Sequence, residues 1–453
     1  MASLPAPVGA ADGPVFGENF GINVKNERIT PAEAEKIAAL GIGTVRIAIN
    51  WNHVEREREY YDWEVPLPGW HRLSGDEDWP DYSYDGIIAI LRERGLHVAV
   101  TLMRGNRFYT GPDVDTTDGG KTRRMWAAPR TPEAIDGFAK FAAATARHYS
   151  ELYGPDAFTW LVWNEPDANT GFPPQADAAV FGELLEKSCA AIKEAVPSAR
   201  VMGPALGAYG NGEIRHEFIL GMFGRANPLR CLDAFTIHPY RPFAPETAVK
   251  DYRRVRTELL PWQPAKPVPV ATDEWGYSIN KNDIPHRVEI WRDFSGEEQA
   301  ALMLRMYLTN LAEKFPLTVV YEWRDSGRDP KDYEHNFGMV DYDGEDKPAI
   351  AMMRYVWPEL KGRGLESMAK GRSCSPHEHF FLFGPRSGDK TRVLAAWTDD
   401  EASSAVIEGA GEAKDIFGKS AVRPRRKAIP LSGVPVLVKL DHDKLPVIAC
   451  KGS

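Results

Sequence analysis

The chain has 453 residues, 43% hydrophobic and 26% charged, which is enough apolar material for one large domain and a smaller one and excludes disorder as the default. A net charge of -9 lacks the basic excess of a phosphate-tracking surface and argues against nucleic acid as a partner. The longest apolar runs fall short of the roughly 18 residues that cross a bilayer, so a soluble chain with no membrane partner is expected.

In chain order, the opening segment MASLPAPVGAADGPVFGENF lacks the basic and apolar regions of a secretory signal. The expected localisation is secreted or periplasmic if a signal has been removed, otherwise cytoplasmic. From Phe20 to about Leu360, eight short apolar or β-branched runs alternate with amphipathic stretches, the pattern of βα units around a parallel sheet. The runs are FGINV (Phe20 to Val24), TVRIAIN (Thr44 to Asn50), HVAVTLM (His97 to Met103) and FTWLVWNE (Phe158 to Glu165). They continue with RVMGPAL (Arg200 to Leu206), LDAFTIHPY (Leu232 to Tyr240), PVPVATDEWG (Pro267 to Gly276) and LTVVYEW (Leu317 to Trp323). Two intervening helices open on a Thr-Pro pair, a capping hydroxyl ahead of a proline tolerated at the first helical position. Eight such units predict a (β/α)8 TIM barrel over residues 1–362, with catalytic groups gathered at the C-terminal strand ends. After KPAIAMMRYVWPELKG the texture changes to short runs separated by turns, which predicts a smaller C-terminal β-sandwich over 363–453. The segment 1–16 is a candidate to lie against it. Cys189, Cys231, Cys374 and Cys450 show no CxxC or zinc-like spacing and read as buried thiols, not a metal site.

A barrel makes the strand ends converge. The second run carries Arg46 and ends at Asn50 and Trp51, and the third leads into Arg104 and Asn106. The fourth ends in Trp163, Asn164 and Glu165, the sixth in His238 and Tyr240, the seventh in Asp273, Glu274 and Trp275, and the eighth in Glu322, Trp323, Arg324 and Asp325. A glutamate closing a core strand is costly to desolvate unless its charge or proton is used. Glu165 and Glu274, on strands four and seven, would face each other across a sugar-sized gap. One carboxyl would protonate a leaving oxygen while the other attacks the anomeric carbon. A separation of roughly 5 to 5.5 Å implies a covalent intermediate and retention, and roughly 6.5 to 9.5 Å implies inversion. Such an acid must keep its proton near neutral pH, which partial burial and a neighbouring carboxylate favour.

WNEP on the fourth strand, IHPY on the sixth, TDEWG on the seventh, YEW on the eighth and the later HNFGMVDYDGEDKPAIAMMR resemble the ordered motifs of clan A retaining glycoside hydrolases. With the C-terminal β domain the chain is most similar to glycoside hydrolase family 39. The resemblance implies Glu165 as acid/base and Glu274 as nucleophile, with Asn164 on the sugar 2-hydroxyl and Arg46 and Tyr240 holding the nucleophile. It also implies His238 and Trp323 lining the subsite of the cleaved sugar; with Trp51 these complete the candidate substrate-binding residues. The third strand departs from the pattern, since Arg104 and Asn106 stand where related families often carry a histidine.

Other readings accompany these. Asp273, adjacent to Glu274, would point to the opposite face and pair with a helix. Arg46 also reads as a buried ion-pair member, His238 as a core histidine and Trp323 as rim packing. The aromatic insertion Trp51 to Gly86 would form extra subsites or its own small cluster. KTRRMW and RDSGRDP put arginines near the cavity, to grip an anionic sugar or to lie solvated. The expected function is a retaining glycosidase acting on an oligo- or polysaccharide, with no metal or organic cofactor. A non-hydrolytic carbohydrate-binding barrel and a transglycosylase are its rivals.

Overall fold

Eight parallel strands close on themselves because each is followed by an amphipathic segment that returns outside the sheet. The structure, a computed structural model, describes residues 13–67, 82–118, 120–209, 213–279, 294–421, 428–440 and 445–451. The barrel strands are β1 (Phe20–Asn23), β2 (Thr44–Asn50), β3 (His97–Met103), β4 (Phe158–Val162), β5 (Arg200–Tyr209), β6 (Ala234–His238), β7 (Val270–Trp275) and β8 (Thr318–Val320). Their order is β4-β3-β2-β1-β8-β7-β6-β5, and β5 returns to β4. The predicted (β/α)8 barrel is therefore the observed one. Both Thr-Pro caps form: Thr30 accepts from the Glu33 amide ahead of helix Pro31–Ala39, and Thr131 from the Ala134 amide ahead of Pro132–Tyr153, each at 3.2 Å. Small apolar side chains from six strands fill the barrel floor, Ala99, Leu161, Met202, Ala234, Ala271 and Val319 among them.

The C-terminal region begins at β9 (Leu365–Met368), five residues after the last barrel helix, Pro348–Leu360. It continues through β10 (Glu378–Phe383), β11 (Arg392–Thr398), β12 (Ser403–Ile407), β13 (Ala410–Asp415), β14 (Ala428–Leu431), β15 (Val436–Leu440) and β16 (Ile448–Lys451). These form antiparallel sheets of order β9-β10-β11-β15-β13 and β14-β12-β16, the predicted sandwich. Strand β10 shows how it attaches. Phe380 and Leu382 point into the sandwich core, while Phe381 and Phe383 alternate into the core shared with the barrel. Phe16 wedges into the same seam against Tyr307, Trp357 and Phe383, and its amide donates to the Arg363 carbonyl at 2.9 Å.

One expectation is corrected. The cysteines are not thiols: Cys189 pairs with Cys231, and Cys374 with Cys450. Partners 42 and 76 residues apart meet only through the fold, so sequence spacing carried no sign of them.

Candidate active site

The turn after β4 is built to turn a carboxylate inward. Trp163 and Glu165 have φ of 73° and 48°, left-handed conformations that non-glycine residues adopt at a cost. Three contacts hold them there. The Trp163 indole donates to the Gly171 carbonyl at 2.8 Å, and the Glu165 amide donates to Ala205 O at 2.9 Å. Gly171 packs so closely that a Cβ there would come 1.7 Å from Glu165 O. The Glu165 side chain is left 32% exposed, facing the barrel axis.

Glu274, at the end of β7, comes to meet it: one oxygen of each carboxylate and a nitrogen of His238 all lie within 4.8 Å of one another. Both Glu274 oxygens accept hydrogen bonds, Oε2 from Arg46 at 2.7 Å and Oε1 from the Tyr240 hydroxyl at 2.9 Å. Arg46 also donates to Asn23 at 3.0 Å and to Asn164 Oδ1 at 2.6 Å, which turns the Asn164 amide nitrogen toward a ligand. Burial lowers the Arg46 pKa, but Glu274 and Asp273 outweigh it and the net shift is upward. Burial drives the Tyr240 phenol well above its usual range, and Glu274 adds to that, so Tyr240 remains a donor.

His238 is fully enclosed between acids. Its Nδ1 lies 3.1 Å from Glu165 and 3.9 Å from Glu274, and its Nε2 lies 3.2 Å from Asp273. Burial opposes protonation, yet Asp273 and Glu274 prevail and raise its pKa to about 10. Asp273 shifts down: burial would raise it, but the charges of His238 and Arg46 win. Glu165, His238 and Glu274 have the spacing of a metal triad, and an ion there would have to displace the proton that Asp273 and Glu274 favour on His238.

Arg46, Asn164, Glu165, His238, Tyr240 and Glu274 are thus brought together, and Trp51 and Trp323 are not. Trp51 starts a helical turn at the end of β2, which swings its indole outward; it is fully buried, stacks on Tyr109 at 4.9 Å and bonds Glu55. Trp323 lies beyond the last paired residue of β8 and buries its indole against Glu33 of the first barrel helix. The aromatic side chain that reaches the cavity from this strand is Tyr321. Asp273 also differs from expectation. The β7–β8 register shifts between Thr272 and Trp275, and this irregularity lets adjacent Asp273 and Glu274 both face inward.

Other loops divide as well. In the insertion after β2, Trp63 stacks on His148 at 4.1 Å while Tyr82 and Tyr84 line the cavity; Trp70 and Trp79 lie outside the described residues. Asn106 is buried and bonds the Glu55 carbonyl, whereas Arg104, just past the third strand, lies on the cavity wall beside Thr101 and Met103. Arg124 pairs with Asp115, Arg324 with Glu33 of the first barrel helix and Arg328 with Asp343, so each of these arginines is engaged by a carboxylate of the protein itself. Asn23 and Tyr321 went unnamed in the sequence reading; applying the strand-end rule to β1 would have found Asn23.

No family model and no curated protein sequence matches the chain. Solved structures do. A family 39 glycoside hydrolase from Bacteroides cellulosilyticus superposes with a TM-score of 0.67 at 18% identity, over 94% of this chain and 82% of the other. A conserved exported protein from Bacteroides fragilis gives 0.61 at 13% identity, over 95% and 98%. A family 39 β-xylosidase from Caulobacter crescentus gives 0.60 at 17% identity, again over 95% and 98%. The fold is that of the family 39 glycoside hydrolase structures, barrel and sandwich together.

Proposed function

We propose that the chain is a retaining glycoside hydrolase acting on an oligo- or polysaccharide. The observation that carries this reading is the approach of one oxygen of Glu165 to within 4.8 Å of one oxygen of Glu274, which supports the shorter of the two carboxylate spacings and so the retaining course. Glu274, its oxygens oriented by Arg46 and Tyr240, attacks the anomeric carbon as the bond to the leaving oxygen breaks and Glu165 protonates that oxygen. In the second step Glu165 takes a proton from water, the water oxygen bonds to the anomeric carbon, and the Glu274 ester is released. Protonated His238 donates to Glu165 Oε1, so Oε2 is free to serve the glycosidic oxygen. The Asn164 amide nitrogen, which donates no hydrogen bond among the described residues, suits the sugar 2-hydroxyl, where a bond strengthens in the transition state. The solved relatives named as family 39 enzymes support the same class. The two disulfides favour an oxidising compartment outside the cytoplasm.

The test is Glu274→Ala on a panel of nitrophenyl glycosides. Activity falls by on the order of 10⁴-fold or more, and added azide restores part of it with an inverted glycosyl azide as product. Full activity in this variant rejects the assignment.

A further inference from the structure

The cavity beside the carboxylate pair encloses about 370 Å³, and its wall carries three cations, Lys25, Arg46 and Arg104, against two acids, Glu27 and Glu274. Two of the cations are engaged. Arg46 holds Glu274 and Asp273, and Lys25 donates to Ser326 with Glu322 3.8 Å away. Arg104 differs: among the described residues no hydrogen bond or ion pair reaches its guanidinium. Burial lowers its pKa, with the Tyr84 phenol acting weakly the other way. His53, also on the wall, is shifted down by burial and by Arg56 and Arg104, which leaves it neutral near pH 7.

The backbone presenting this side chain is itself costly. Arg104 has φ 75°, and it is followed by a glycine whose Cβ would come 1.8 Å from Ala127 O, so the turn cannot relax by moving outward. Arg104 thus joins a costly backbone conformation to a half-buried guanidinium that, among the described residues, has no polar partner on the cavity wall, and a partly buried charge without a partner is unfavourable. An anionic ligand offsets both costs, because the planar fork of arginine matches a carboxylate or sulfate in two parallel bonds.

We infer that Arg104 is the anion-recognising residue of this cavity, and that the glycoside held beside Glu274 carries a carboxylate or sulfate group. The inference rests on the glycosidase reading and narrows its substrate class. It also assigns a role to the position where the chain departs from its family pattern.

The test pairs binding with turnover. The intact protein is titrated calorimetrically with glucuronate, galacturonate, glucose 6-sulfate, glucose and galactose, and assayed on nitrophenyl glycosides of the same sugars. The acidic members are expected to bind at least about tenfold better than the neutral ones, less so as salt rises. In Arg104→Gln that preference shrinks about 10- to 100-fold, and Arg104→Lys restores part of it. Preference for the uronates alone or for the sulfate alone identifies the anion. Equal or better binding of neutral sugars overturns the inference, as does an unchanged preference in Arg104→Gln. If that variant melts early, Arg104→Lys carries the comparison. Acid binding without turnover of any glycoside keeps the anion site and removes the glycosidase reading; turnover of neutral glycosides alone does the reverse.

Discussion

The two ends of the barrel are made by the same eight strands and hold opposite contents. On β3 the inward series runs from Ala99 to Thr101, and on β6 from Ala234 through Thr236 to His238. On β7 it runs from Ala271 to Asp273, with Glu274 alongside. One step of the period-two repeat therefore takes each strand from a small apolar plug to a buried polar or charged group. The floor contributes stability by ordinary packing. The rim retains charges whose desolvation is offset only by their network, which is how a site that binds or transforms something differs from a core.

The sharpest way to break this contrast is at Glu165, the proposed acid. Glu165→Ala removes proton donation without touching the floor, and kcat/KM is expected to fall by on the order of 10² to 10⁴-fold for sugars with poor leaving groups. Dinitrophenyl glycosides, whose leaving oxygen needs no proton, lose far less in the first step. An equal loss on both kinds of substrate contradicts the acid role.

Next comes Asp273→Asn, which breaks the ionic lattice one residue from Glu274, the proposed nucleophile. His238 and Arg46 then lose a shared counter-charge, and activity is expected to drop by about 10- to 100-fold. The pH dependence of stability changes too. In the folded protein His238 keeps its proton to about pH 10, whereas in the unfolded chain it releases it near 6.5. Its contribution is present in full below about pH 6.5 and is lost as pH rises toward 10. Urea midpoints measured across that window slope downward in the native protein, and the slope is shallower in Asp273→Asn or His238→Asn. Identical slopes in all three proteins contradict the imidazolium assignment.

The floor responds the other way. Ala271→Leu overfills a plug formed by Leu161, Met202 and Val319, and costs about 1–3 kcal/mol of stability while KM at temperatures well below melting stays the same.

What the sequence revealed follows the same division. Arg46, Glu165, His238 and Glu274 were legible because strand period and strand-end position fix where such residues point. Asp273 was misread because a local register shift on β7 suspends the alternation that would send neighbours to opposite faces. Trp51 and Trp323 failed for a related reason: each lies just past its strand, where the period no longer specifies direction. The disulfides required tertiary proximity. The arginine-rich loops looked like anion grips because sequence shows charge but not the partner that neutralises it.

Trp323 gives the smallest effect and sets the boundary of the site. Its indole donates to Glu33, whose other oxygen accepts from Arg324 at 2.8 Å, and Lys36 lies 5.9 Å over its ring. Trp323→Phe keeps most of the apolar volume and deletes one hydrogen bond to a carboxylate that retains another, so a loss of about 1–2 kcal/mol in stability is expected. KM for every substrate should be unchanged, because the ring faces the first helix and not the cavity. Tyr321→Phe is the control. It removes a cavity-lining hydroxyl that lies 3.4 Å from Glu334, and it should alter KM with little effect on the melting temperature. Exchange of these two outcomes would move the rim of the site by one strand residue pair and make Trp323 a sugar-stacking platform after all.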